Sequence, residues 1–179
     1  MGEVELVTER LRLRPVRSED LDAVTALGAD ERVMTWVGGT LTAEMSVAWL
    51  ERQLRHWRNH QFGPFAVECD GTFVGFVGLS RADFDAGFIP GIEVAWRLVF
   101  DQWGKGYATE AARAVIGDAF GRLGLNEVVA VTTPKNTRSR RVMDRLGMVL
   151  SPGDTFEHPR VPEGDPLRTH VVYRLHRDP

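Results

Sequence analysis

Apolar and polar positions alternate along the chain with two periods, and the change of period marks the elements. From Thr8 to Val16, Leu11 and Leu13 alternate with Arg10, Arg12 and Arg14, which predicts a half-exposed strand closed by Pro15. Ser18 is placed to cap a short helix with Glu19 and Asp20 in its first turn, where the helix dipole favours acids. After the loop Gly38-Gly39, Thr42 can cap a longer helix whose apolar face reads Val47, Leu50, Leu54 and Trp57. Phe65 to Cys69 and Thr72 to Leu79 are extended runs flanking Asp70-Gly71, the pattern of a hairpin with a two-residue turn. A third strand, Ile92 to Leu98, follows a loop holding Pro90 and Gly91, so the centre reads as an antiparallel meander.

From Gln102 onward helical periodicity takes over. A glycine-containing loop leads into a helix with Ala108, Ala112, Val115, Ile116, Ala119, Phe120 and Leu123 on one stripe, ended by Gly124. Glu127 to Thr132 has the composition of a buried strand, and Asn136 caps a second helix that runs to Leu146 and stops at Gly147. Met148 to Leu150 and Thr169 to Leu175 close the chain as strands. Between them, Ser151 to Arg168 carries Pro152, Pro159, Pro162 and Pro166 and reads as an ordered surface loop. With neither an internal repeat nor a linker, residues 1–179 are expected to form a single α+β domain on a mixed, largely antiparallel sheet.

Composition narrows the function classes. An apolar fraction of 43% and a charged fraction of 26% are those of an ordinary globular chain. Twenty-five acids against 22 bases, a net charge of −3, leave no basic surplus for nucleic acid or anionic lipid. No apolar run has the length of a membrane span. The opening Met1-Gly2-Glu3-Val4-Glu5 lacks the apolar core of a secretory signal, and Leu6 stands where a myristoylation start needs Ser or Thr. The lone Cys69 cannot form an internal disulfide and is expected to be a buried strand residue. These features point to a cytoplasmic protein.

The chemistry concentrates in two segments. Leu98-Val99-Phe100-Asp101-Gln102-Trp103-Gly104-Lys105-Gly106-Tyr107-Ala108-Thr109 is a strand end, a short glycine loop and a helix start in succession. Free amides at a helix N-terminus, reinforced by the dipole, make an anion site that suits phosphate, and glycine lets the backbone approach closely. The segment is not a Walker loop, which needs Gly-x-x-x-x-Gly-Lys-Ser/Thr. It is not a dinucleotide fingerprint either, because Thr109 replaces the third glycine, Glu127 begins its strand, and the preceding strands read as antiparallel. The second segment, Asn136-Thr137-Arg138-Ser139-Arg140-Arg141-Val142-Met143-Asp144-Arg145-Leu146-Gly147-Met148, opens the following helix. His56 and His60 have metal-compatible spacing but no further ligands nearby, so no metal is expected, and Ser80 lacks the Gly-x-Ser-x-Gly setting of a hydrolase.

Together the two segments resemble the GNAT superfamily of acyl-CoA-dependent N-acetyltransferases. Thr8-Glu9-Arg10-Leu11-Arg12-Leu13-Arg14 and the run from Trp103 to Ala111 are most similar to the branch containing the ribosomal-protein alanine N-acetyltransferases, where dimers are frequent. The resemblance implies a central, largely antiparallel sheet of about six to seven strands flanked by about four helices. It implies acetyl-CoA as cosubstrate, with the strand before the glycine loop splayed from its neighbour so that backbone near Leu98 and Val99 holds the pantetheine arm. Trp103, Gly104, Lys105, Gly106, Tyr107, Ala108 and Thr109 would form the pyrophosphate loop, cradling it with the amides of Lys105, Gly106 and Ala108. Asn136 would bond the pantetheine, Ser139 would sit near the thioester sulfur, and Lys105, Arg138, Arg140 and Arg141 could reach the 3′-phosphate. Two positions depart from the pattern. Trp103 stands where Gln or Arg is common, and Met143 replaces the Tyr that many members use as general acid, which leaves that role to Ser139 or water.

On the acceptor side, Glu93 lies where members often carry a base, and it could take the amine's proton through water. Deprotonating an α-amine with a pKa of about 8 costs under about 1 kcal/mol at neutral pH, against about 4 kcal/mol for a lysine amine. A modest base therefore suits an α-amine, and the favoured acceptor is a protein N-terminus. An aminoglycoside-like drug or a small metabolite amine is the alternative acceptor, and a non-catalytic acyl-CoA sensor is the alternative class. Trp36, Phe62, Trp96 and the proline-rich loop around His158 are candidates to line the acceptor pocket.

Overall fold

The computed structural model describes residues 4–81 and 91–177; Met1-Gly2-Glu3 and the loop position Pro90 lie outside the described residues. Eight strands form one sheet in the order β1-β2-β3-β4-β5-β6-β8-β7: β1 (Leu6–Val7), β2 (Arg12–Pro15), β3 (Pro64–Cys69), β4 (Thr72–Arg81), β5 (Ile92–Leu98), β6 (Glu127–Thr132), β7 (Val149–Glu157) and β8 (Thr169–His176). Among the described residues five α-helices accompany them: α1 (Leu21–Ala29), α2 (Glu31–Met34), α3 (Ala43–His60), α4 (Tyr107–Gly121) and α5 (Thr137–Arg145). The strand and helix counts thus exceed the six to seven and four expected from sequence.

The additions have local causes. The run expected to be one strand from Thr8 to Val16 is broken by a turn in which Thr8 N–H donates to Leu11 O and Leu11 N–H donates back to Thr8 Oγ1. A two-residue β1 is split off as a result. The stretch Ser151–Arg168 is not all loop. β7 bulges out of register after Ser151, where Pro152 cannot donate to the ladder, and pairs again at Phe156↔His170 and Glu157↔Thr169. Ser18 does not cap the first helix; it lies in a 3-10 turn, Ser18–Asp20, and the Asp20 carboxylate accepts from Arg17 N–H. Asp20 also receives Arg14 at 2.7 Å, and Arg14 reaches Glu68 at 2.8 Å, so a residue expected to face solvent instead ties β2 to β3.

The β3–β4 hairpin forms as its sequence predicts, with Asp70 (φ 49°) and Gly71 (φ 73°) both left-handed. Side chains alternate onto two apolar layers. Phe65 and Val67 of β3, Val77 and Leu79 of β4 and Val94 and Leu98 of β5 pack with Ala111, Ala112, Val115, Ile116 and Ala119 of α4 and with Met143 of α5. Ala66 and Phe76 point the other way, against Val24 and Leu27 of α1, Val33 and Met34 of α2 and Leu50 of α3. Gly75 (φ 145°) permits a close approach within the sheet, since a Cβ there would overlap Arg97 O and lie 2.6 Å from Leu98 Cα. Among the described residues no helix is long and apolar enough to cross a membrane.

Candidate active site

The site begins where the sheet opens. Every neighbouring strand pair is antiparallel except β5–β6, which is parallel and aligned at a single pair, Glu93↔Val129. Beyond that pair β5 continues to Leu98 in register with β4 alone, so Val94 to Leu98 presents its other edge to a widening gap. The strand end itself is already bonded. Leu98 O accepts from the Trp103 indole at 2.8 Å, while Val99 N–H donates to Val74 O and Val99 O accepts from Gln102 N–H. The Val99 backbone, expected from the resemblance to hold the pantetheine arm, is therefore committed to the sheet, and the open edge lies upstream of it.

Both strands deliver their glycine or asparagine segment to this end of the gap. After the 3-10 turn Phe100–Gln102, Gly104 (φ 79°) and Gly106 (φ 85°) fold the loop back so that Gly106 becomes the N-cap of α4. No side chain caps α4, and Glu110 N–H makes the first bond of the helix, to Gly106 O. The amides of its first turn thus keep their donors for an anion. α3 and α5, by contrast, are capped by Thr42 and Asn136. Asn136 Oδ1 accepts from Ser139 N–H at 3.2 Å and its Nδ2 donates to Thr132 Oγ1 at 3.1 Å, which fixes the first turn of α5 to the end of β6. Next to it Thr133 Oγ1 is buried without a hydrogen-bond partner. Arg138 lies 5.1 Å from the centre of the Trp103 ring, so the two segments meet across the gap.

The loop is braced from the N-terminus. Thr8 Oγ1, Arg10 N–H and Arg10 Nε donate to the Glu110 carboxylate at 2.6, 3.0 and 2.7 Å. Arg10 Nη1 donates to Lys105 O, and its guanidinium lies 4.8 Å over the Tyr107 ring. Burial alone would raise the Glu110 pKa, but these donors outweigh it and hold the carboxyl below its ordinary value. Beside this brace an open cavity of about 370 Å³ is lined by Glu9, Arg10, Gly106, Thr109, Glu110, Arg113 and Arg145.

The glycine loop and the Asn136 segment face each other across the gap, while the Thr8–Glu110 brace has no local signal in the sequence beyond the polar Thr8-Glu9-Arg10 opening. Lys105 Nζ donates to Gln102 Oε1, Ser139 is half-buried in the first turn of α5, and Arg141 is exposed on the same helix. Glu93 lies half-buried at the only aligned pair of the β5–β6 junction. With Ala95 and Arg97 it occupies the face of β5 opposite Val94 and Leu98, and Ala95 is exposed although it sits mid-strand. Arg97 went unnoticed in sequence, and burial lowers its pKa from the usual arginine value. Trp36 is half-buried just after α2. Trp96 packs towards the α4 layer, and Phe62 is 6% exposed in that layer, with its ring 5.0 Å from His56. Cys69 is half-buried rather than buried, with its Sγ 3.4 Å from Tyr107 Oη.

A splayed parallel pair, an uncapped helix behind a glycine loop and an asparagine-capped helix across the gap form one constellation. The model of the acetyltransferase (GNAT) domain matches residues 10–149. The chain belongs to the GNAT acetyltransferase family. It is 30% identical over 149 residues to the uncharacterized N-acetyltransferase p20 of Bacillus licheniformis, covering 79% of this chain and 80% of that protein. The crystal structure of an acetyltransferase from Agrobacterium tumefaciens superposes with a TM-score of 0.80 at 30% identity, over 99% of this chain and 96% of that one. RimL, the ribosomal L7/L12 alpha-N-protein acetyltransferase solved in complex with coenzyme A, shares the fold with a TM-score of 0.82 at 13% identity, over 98% and 99% of the two chains. This GNAT chain is accordingly an acyltransferase, and its uncapped amides and one-sided strand edge fit the diphosphate and the extended amide arm of coenzyme A.

Proposed function

We propose that this GNAT enzyme transfers the acetyl group of acetyl-CoA to the α-amine of a polypeptide N-terminus by direct attack in a ternary complex. The single observation that carries the reading is the open face of β5. Ala95, flanked by Glu93 and Arg97, is exposed at the middle of a sheet, beside the gap that would receive the thioester. An open face admits the end of a chain. The alpha-N-protein acetyltransferase RimL, which shares the fold, is consistent with such an acceptor.

Acetyl-CoA supplies an activated carbonyl. The amides of Lys105, Gly106 and Ala108, in the loop from Trp103 to Thr109, hold the diphosphate, and Asn136 with the open edge of β5 upstream of Leu98 and Val99 aligns the arm. Lys105, Arg113, Arg141 and Arg145 supply positive charge for the 3′-phosphate end near the cavity beside α4. Glu93 receives the proton of the incoming ammonium through a water, so that the nitrogen lone pair forms the C–N bond as the C–S bond breaks. As the adduct collapses, the nitrogen's second proton is relayed through Ser139 or water to the departing thiolate, because Met143, at the position of the usual Tyr, is 1% exposed in the core and offers no hydroxyl. Trp36 stands on the acceptor side as a wall. The enzyme's main contribution is positioning, which suits an α-amine that is already partly neutral.

The test is thiol release from acetyl-CoA with a panel of short peptides, lysine-blocked peptides, spermidine-like amines and aminoglycosides, with the product sites mapped by mass spectrometry. Modification of the peptide α-amine is expected. Tight binding of acetyl-CoA with no turnover on any amine would instead establish an acyl-CoA sensor, and no binding at millimolar concentration would remove the site.

A further inference from the structure

We propose that Arg97 is an anion receptor in the acceptor site, so that the preferred acceptor is a primary amine carrying a carboxylate a few bonds away; this rests on the acetyl-transfer reading above. Arg97 lies on the same face of β5 as Glu93 and the exposed Ala95, opposite the face covered by α4 and α5. Its register partner is Phe76, whose ring centre lies 5.3 Å from that of Trp49 and 4.9 Å from that of Phe73, so the side chain leaves the sheet beside an aromatic cluster. Among the described residues nothing donates to it, accepts from it or pairs with its charge, whereas Arg12, Arg14 and Arg174 in the same sheet each hold two carboxylates.

An uncompensated charge that burial disfavours is costly to keep, and the cost is relieved only when an anion arrives. The anionic groups of coenzyme A are accounted for by the amides and arginines at α4, whose helix packs on the other side of the sheet. The acceptor is what approaches the Arg97 face. Glu93 and Arg97 are four residues apart on one face, about 13 Å between Cα atoms, and the length of the arginine side chain shortens that gap. An amine held near Glu93 therefore brings a nearby carboxylate within reach of a bidentate guanidinium bond. That carboxylate can belong to a free α-amino acid or to an acidic side chain next to a polypeptide N-terminus. A polycationic amine would set like charge against Arg97.

The deciding experiment compares matched acceptors: a short peptide with Asp at its second position against its Asn counterpart, and a free amino acid against its amide. Each is assayed with the native enzyme, Arg97→Met and Arg97→Lys. The native enzyme is expected to prefer the carboxylate of a pair about 10- to 100-fold in kcat/KM, mainly through KM. Arg97→Met should erase the preference and leave the KM for acetyl-CoA unchanged, while Arg97→Lys should keep part of it. Whichever pair shows the larger preference identifies the source of the carboxylate. Equal rates on both members of each pair, or a rise in acetyl-CoA KM in Arg97→Met, would overturn the proposal while leaving acetyl transfer intact. If no amine is acetylated, acetyl transfer fails, and calorimetry of the acetyl-CoA-loaded protein with the same pairs still decides Arg97: equal affinities refute it. Thermal melting checks that Arg97→Met is folded, and loss of an unpaired charge should not lower its midpoint.

Discussion

Gly75 is the position at which a single methyl group tests the link between sheet packing and cofactor binding. Its φ of 145° is one that side-chain-bearing residues rarely adopt, and an added Cβ would overlap Arg97 O and stand 2.6 Å from both Leu98 Cα and Leu98 Cδ2. Two of these three atoms are backbone, so the clash cannot be relieved by a rotamer change, and β5 must move. Backbone strain of about 1–3 kcal/mol and overpacking of about 1–3 kcal/mol give a loss of about 2–6 kcal/mol for Gly75→Ala. At about 2–4 °C per kcal/mol for a chain of this size, the melting midpoint should fall by roughly 4–24 °C. Because the displaced segment is the edge that faces the gap and carries Leu98 into the glycine loop, the KM for acetyl-CoA should rise as well. Gly71→Ala is the control. Its φ of 73° is also left-handed, but a Cβ there meets nothing within 4 Å, so only about 1 kcal/mol of strain is expected and acetyl-CoA binding should be unchanged. Differential scanning fluorimetry and thiol-release kinetics on both variants are sufficient. A Gly75→Ala protein that melts with the native enzyme and keeps its KM would refute the packing argument, as would equal losses in the two variants.

Other consequences are as direct. Asn136→Ala removes the α5 cap and the bond to Thr132, so stability should drop by about 1 kcal/mol in chemical denaturation and acetyl-CoA affinity should fall with it. Glu93→Gln should lower kcat and abolish the acidic limb of the pH–rate profile, and an unaltered profile would exclude Glu93 as the base. Burial lowers the pKa of His170, and burial together with the neighbouring positive charges of His60 and Arg81 lowers that of His56. Their folded pKa values lie below the unfolded value of about 6.5. The unfolded chain therefore binds protons first as pH falls, and stability should decline from about pH 6.5 downward. His170→Gln and His56→Gln should each flatten part of that slope in urea titrations across pH 5–7.

Much of the fold was legible because its signals are local. The Asp70-Gly71 turn, the limits of β5 and β6, the Thr42 and Asn136 caps and the apolar stripe of α4 each follow from a few adjacent residues whose backbone preferences and periodicity agree. The misreadings fall where long-range pairing outweighed local pattern. Arg14 alternates as though exposed, yet Asp20 and Glu68 enclose it. The proline-rich stretch after Leu150 reads as loop, yet Phe156 and Glu157 regain a ladder with β8. The glycine loop and the Asn136 segment were recognisable as candidate cofactor-binding chemistry, but the Thr8–Arg10–Glu110 brace joins residues about a hundred positions apart and leaves no short motif.

What the chain's own order of residues determined is most of the elements and the contrast between the uncapped start of α4 and the Asn136-capped start of α5, since caps, turns and amphipathic stripes depend on neighbours within a few positions. What tertiary structure alone decided is the parting of β5 from β6 after Glu93, the commitment of the Val99 amide to β4, and the placing of Arg97 on an open face without a counter-charge among the described residues. Each of these depends on which distant strand lies alongside, and pairing partners are chosen by burial of whole faces rather than by any local sequence.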